Sequence, residues 1–128
     1  MILGLALAGA AGGLAFALLV SRTSPERAAD IFAISLAYIA AVYIGPAIGG
    51  FSPADVAESL AAFGFLVFSI FAIRRPLRFL ALGYVGHGLW DAVHPSVLPA
   101  ALPEWYAPAC LGFDWAVAAV LLRSGRRP

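Results

Sequence analysis

His87, Asp91 and His94 stand at i, i+4 and i+7 of the segment His87-Gly-Leu-Trp-Asp91-Ala-Val-His94. On a helix these positions share one narrow arc, while Leu89, Ala92 and Val93 point elsewhere. The surrounding sequence is apolar enough to cross a bilayer, where an ionisable stripe must face protein, water or a metal. Burial without partners costs at least about 2.5 kcal/mol per group on insertion scales, so such residues mark functional sites. Two histidines with carboxylates form a ligand set for zinc or non-haem iron, both of which take imidazole nitrogen and carboxylate oxygen. The predicted set is His87, Asp91, His94 and Asp114, with Asp114 either a ligand or the acceptor that orients His87. A metal would also neutralise the carboxylates and lower their burial cost. Glu58 and Asp91 are the candidate bases for a metal-bound water.

The composition gives this stripe its setting. Of the 128 residues 62% are hydrophobic and 12% charged, with no lysine, about half the charged fraction of a soluble domain. A soluble chain of this size would leave much of that apolar surface in water. A polytopic membrane bundle is therefore expected. A net charge of +1 gives no basis for nucleic-acid binding. The single cysteine, Cys110, excludes an internal disulfide.

Punctuation divides the chain into five predicted membrane-spanning helices, approximately 1–21, 25–49, 53–73, 77–94 and 103–122, within one all-α domain over residues 1–128. The first lacks the basic leader of a secretory signal, its first charge being Arg22, and is read as a retained helix. If it were instead a cleaved signal, four crossings would remain, in the same orientation. Ser24-Pro25-Glu26 and Ser52-Pro53-Ala-Asp55 are helix starts: a serine cap, proline in the first turn and an acid near the positive end of the dipole. Pro46 predicts a kink or early stop in the second helix. Arg74-Arg75 stops the third, Pro95 is expected to end the fourth, and Pro103-Glu104 to begin the fifth. The apolar stretch from Ser96 to Leu102 reads as an interfacial loop.

All eight arginines fall within a turn of the connections between helices one and two and between three and four, or after five. The opposite connections carry Asp55, Glu58 and Glu104, so the positive-inside rule puts the N-terminus outside and the C-terminus in the cytoplasm. Trp90, Trp105 and Tyr106 then belong to the outer interface. His87 lies nine residues beyond Arg78, and Asp114 nine before Arg123. At about 1.5 Å per residue both are roughly 13 to 14 Å deep, near the midplane. The same counting sets Asp91 level with Cys110 at roughly 20 Å, and His94 level with Glu58 at roughly 24 Å.

Several residues have a plainer reading. Cys110 is a packing residue or, less simply, a soft ligand. Tyr38 and Tyr43 reach depths from which they could bond into the cluster, with interface anchoring the simpler role for Tyr43. Asp30 suits a salt bridge to the nearby arginines, and Arg74, Arg75 and Arg78 suit anionic lipid headgroups. The small face of Ala107, Cys110, Asp114 and Ala118, with Gly83 and Gly86 opposite, predicts close approach of helices four and five. The pairs Gly9/Gly13 and Gly45/Gly49 predict either packing within the chain or a homodimer.

HGLWDAVHP from His87 and PEWYAPACLGFDW from Pro103 together resemble a group of short bacterial integral membrane proteins of unknown function. The resemblance covers roughly the last third of the chain and implies a multi-pass protein of the bacterial inner membrane. A fainter likeness is to the membrane-hydrolase superfamily of alkaline ceramidases and adiponectin-type receptors, in which intramembrane histidines and an aspartate hold zinc. It implies His87, Asp91 and His94 as the corresponding residue types.

The function expected from these observations is a metal site open to the outer leaflet, hydrolysing a lipid-like substrate. The alternatives are a small proton-coupled transporter with His87 and Asp114 as relay, in an assembly of several copies, and an accessory subunit whose Asp-His cluster only ties helices together.

Overall fold

The computed structural model describes residues 1–44, 51–98 and 102–124. Among the described residues it contains five helices and no strand: α1 (Ile2–Val20), α2 (Pro25–Ala41), α3 (Pro53–Ala72), α4 (Leu77–Val97) and α5 (Tyr106–Ser124). Both predicted serine starts are formed. The Ser24 hydroxyl accepts from Arg27 N at 3.4 Å. Ser52 and Asp55 make a capping box, with Asp55 N donating to Ser52 Oγ at 3.1 Å and Ser52 N to Asp55 Oδ2 at 2.9 Å.

Three boundaries differ from expectation. Helix α2 stops at Ala41, where Val42 N and Tyr43 N donate to Tyr38 O and Ala40 O in a tightened last turn. The predicted continuation to 49, the kink at Pro46 and the Gly45/Gly49 pair lie outside the described residues, as do Arg126, Arg127 and Pro99. Helix α4 runs through Pro95 to Val97. So close to a terminus proline removes one hydrogen bond, and Leu98 N to His94 O at 2.8 Å closes the last turn. Helix α5 starts at Tyr106, because Tyr106 N donates to Pro103 O in a separate preceding turn.

Helix α1 packs in parallel along α5, α5 packs antiparallel to α4, and α2 lies on α3. A Cβ at Gly9 would collide with the backbone of Ala109, one at Gly13 with that of Phe113, and one at Gly112 with that of Ala6. The Gly9/Gly13 pair is therefore used within the chain. Gly83 and Gly86 were expected to relieve the α4–α5 contact, yet they face other helices. A Cβ at Gly83 would meet Leu36 and Phe68, and one at Gly86 would meet Phe65. Gly88 is the residue that lets α5 approach, since a Cβ there would come within 2.6 Å of Trp115 Nε1.

The apolar core, including Phe32, Leu36, Leu80, Tyr84, Val117 and Leu121, fills the half of the bundle nearer the arginines. Tyr84 donates to the carbonyl of Phe32 at 2.7 Å, and its ring meets that of Phe32 edge to face. Glu58, Ser69, His87, Asp91, His94 and Asp114 are buried, while Leu7, Leu60, Phe63, Ile70, Leu82 and Leu89 are exposed. This reverses the usual order of a soluble domain, in which charged residues are almost never fully buried unless paired.

Among the described residues three helices, α1, α3 and α5, are long and apolar enough to cross a membrane, rather than the five expected. Helix α2 has 17 residues and carries Glu26, Arg27 and Asp30. Helix α4 carries Arg78 and the stripe itself, whose His87, Asp91 and His94 are turned inward. Asp30 makes no arginine salt bridge among the described residues. Arg75 instead lies 4.6 Å from the centre of the Phe71 ring.

Candidate metal centre

Helices α4 and α5 run antiparallel, and the equal residue counts from Arg78 and Arg123 bring His87 and Asp114 to one level. His87 Nδ1 donates to Asp114 Oδ2 at 2.7 Å and lies 3.3 Å from Asp91 Oδ2, one turn along α4. Cys110 Sγ, one turn before Asp114, is 3.9 Å from both His87 Nδ1 and Asp114 Oδ2. Each of the four residues offers a ligand atom within 4.8 Å of the others, and all four are buried.

These spacings fit a small metal ion. Metal–ligand bonds of 2.0–2.3 Å in a tetrahedron put neighbouring ligand atoms roughly 3.3–3.5 Å apart. The separations of 2.7, 3.3 and 3.9 Å bracket that value. The His87–Asp114 hydrogen bond would open by about half an ångström to admit the ion in exchange for the Nδ1 proton. Two carboxylates, an imidazole and a thiol are the donor set of zinc or iron rather than of magnesium or calcium.

The group closes around Nδ1 of His87. Its Nε2 is buried without a hydrogen-bond partner on the other edge of the ring, and the Phe65 ring stands edge-on to the imidazole at 4.9 Å. Asp114 thus faces the same nitrogen as Asp91 and Cys110. Asp91 Oδ2 and Asp114 Oδ1 are also buried without a hydrogen bond, which is costly unless something else satisfies them.

His94 stands apart from this group. Its Nε2 lies 3.5 Å from Glu58 Oε1, Trp90 stacks on it at 5.7 Å, and Tyr43 meets it edge to face at 4.7 Å. His94 and Glu58 therefore form a second pair one turn nearer the helix end. Two residues take larger parts than their sequence reading gave them. Cys110 sits where His94 was expected, and Tyr43, 2% exposed, donates to Asp91 Oδ1 at 2.5 Å. Tyr38, by contrast, is 71% exposed. The available signal for Cys110 was its i−4 spacing from Asp114; for Tyr43 only the depth estimate pointed inward.

A cavity of about 570 Å³ reaches this end of the bundle, and Tyr43, Asp91, His94 and Glu104 supply its polar lining. His87, Cys110 and Asp114 lie behind that lining. A second cavity, of about 410 Å³, sits at the opposite end between Ser21, Thr23, Leu77 and Arg123. Helix ends flanked by arginines thus gather at one pole and the polar group opens near the other.

No curated protein and no solved structure matches the chain. The likeness to membrane hydrolases accordingly gains no support. A family model described only as a family of unknown function, DUF6010, matches residues 5–127, and the chain belongs to that family.

Proposed function

We propose that this is a multi-pass membrane protein that binds zinc or iron at His87, Asp91, Cys110 and Asp114, in a centre reached from the outer leaflet. The observation that carries the reading is the convergence of four buried ligand atoms within 4.8 Å. The apolar exterior and the three span-length helices support the membrane setting. In this reading α2 and α4 cross with the other three, their polar groups screened by the bundle. The arginine pole is cytoplasmic by the positive-inside rule, and the N-terminus outside.

The chemistry that best suits the site is hydrolysis of a lipid-like substrate. Metal bound there would supply Lewis acidity, and where one of the four groups gives up its place to a water it would lower that water's pKa to near 7. Asp91 and His94 both line the cavity, so one wall of it joins the metal group to a proton acceptor. Glu58 Oε1, 3.5 Å behind His94 Nε2, completes an acid/base pair with it. Relay of protons across the membrane is less well supported, because buried Leu80, Val117 and Leu121 fill the path toward the arginine pole.

Elemental analysis of protein purified without a histidine tag tests the metal claim. One zinc or iron per chain, lost in His87→Ala, is the expected result. Absence of metal after gentle purification and after titration with zinc and ferrous ions would leave an Asp-His cluster whose role is to fasten α4 to α5.

A further inference from the structure

We infer that the cavity at the polar pole holds an amphiphile with an uncharged, hydrogen-bonding head and excludes anionic ones. The inference rests on the membrane reading and names the ligand class of the same site.

The cavity, about 570 Å³, is within the size range of small-molecule sites, roughly 300–1,000 Å³. Its walls come from Ile2 and Leu5 of α1 and Ala107 and Leu111 of α5, all apolar. Ile2 is 68% exposed on the outside of the bundle, so in a bilayer this wall continues into the hydrocarbon. A chain can thus lie along α1 while its head reaches Asp91 and His94.

The head chemistry follows from the charges. Asp91 and Glu104 put two carboxylates on the lining, and no arginine side chain is among the lining residues. The chain has no lysine at all. In the metal-free protein a phosphate or carboxylate head would meet two carboxylates against a single cation on the lining, the Met1 amino group. His94 supplies the complementary feature. It lines the cavity, is 5% exposed, and its Nδ1, on the ring edge away from Glu58, is buried with no partner. A hydroxyl or amide head satisfies that atom.

The test uses two bromoalkyl probes of equal chain length, one an alcohol and one a phosphate, with protein in zwitterionic nanodiscs. Trp90 stacks on His94 and Trp105 adjoins Glu104, so bromine in the cavity quenches their fluorescence, read in a Trp115→Phe background. In chelator-treated protein the alcohol should quench saturably, and the phosphate should need at least about tenfold more probe, the direction set by like-charge repulsion. Ala107→Leu should remove the saturable component; should that variant not fold, Ala92→Leu on the facing wall serves. Equal quenching by both probes in chelator-treated protein, or saturable quenching that survives a filled cavity, overturns the inference. The measurement is made on both chelator-treated and metal-loaded protein. Saturable alcohol quenching in protein that never binds metal keeps this inference and removes the metal claim; stoichiometric metal with only linear quenching does the reverse.

Discussion

Tyr43 reaches across 48 positions of sequence to donate its hydroxyl proton to Asp91. The bond occupies Oδ1 and leaves Oδ2, 3.3 Å from His87 Nδ1, as the oxygen available to a metal. It also seats the tyrosine ring between His94 and Tyr106, at 4.7 and 5.6 Å. One side chain from the end of α2 thereby sets the rotamer of a proposed ligand and forms part of the cavity lining. A partner bonded to a metal-binding carboxylate fixes which oxygen is presented.

Tyr43→Phe should therefore keep the fold and weaken the metal site. Loss of such a supporting bond typically costs about 10-fold to 100-fold in affinity. Competition titration against a chromophoric chelator would measure it. Unchanged affinity would mean that Asp91 is held by packing alone.

The four proposed ligands can be told apart spectroscopically. His87→Ala and Asp91→Ala should each abolish stoichiometric binding, because no other side chain reaches the vacated position. Cobalt-loaded protein should show a thiolate-to-metal charge-transfer band that Cys110→Ser removes while cobalt is retained. Asp114→Asn should reduce affinity as severely as Asp91→Ala, since both carboxylates face the same nitrogen of His87. A loss of only about 10-fold to 100-fold would mean that Asp114 supports the site without binding the metal itself.

The levels of the site could be read from the sequence because a rise per residue is a ruler. Equal counts from Arg78 and Arg123 align His87 with Asp114, and the observed 2.7 Å contact has that arithmetic behind it. The same holds for His94 and Glu58. What a ruler does not give is rotation about the helix axis. Gly83 and Gly86 have the right depth to relieve α5, yet they face Phe68 and Phe65 of α3. Tyr43 was read first as an interface anchor for another reason: α2 turns at Val42, so extrapolating a straight helix misplaces everything after Ala41. Cys110 was legible only as one of two options, because a lone small apolar residue and a thiol ligand look alike in sequence.

Orientation gives a third expectation. Exposed Phe51, beside the Ser52 cap of α3, lies at the polar pole, and Arg75 at the other. In a Cys110→Ser background, Phe51→Cys should react with an impermeant maleimide added outside intact cells, and Arg75→Cys only after the membrane is opened. Labelling in the reverse order would invert the bundle and place the cavity on the cytoplasmic side.

The α1–α5 seam allows a controlled test of packing. Gly13 and Gly12 are adjacent on α1, but a Cβ at Gly13 collides with the backbone of Phe113, whereas a Cβ at Gly12 meets nothing within 4 Å. Backbone cannot move aside as a flexible side chain can, so Gly13→Leu should force the helices apart. Overpacking of this kind costs about 1–3 kcal/mol, occasionally more. Gly12→Leu removes a poor helix former from a lipid-facing position and should be neutral or stabilising by up to about 1 kcal/mol. Thermal unfolding of both variants in mild detergent would read the difference. Because Ala109 and Phe113 immediately precede Cys110 and Asp114 on α5, Gly13→Leu should also lower metal content, while Gly12→Leu leaves it at the wild-type level. Equal stability and equal metal content in the two variants would show that α1 is not seated on α5 through these glycines.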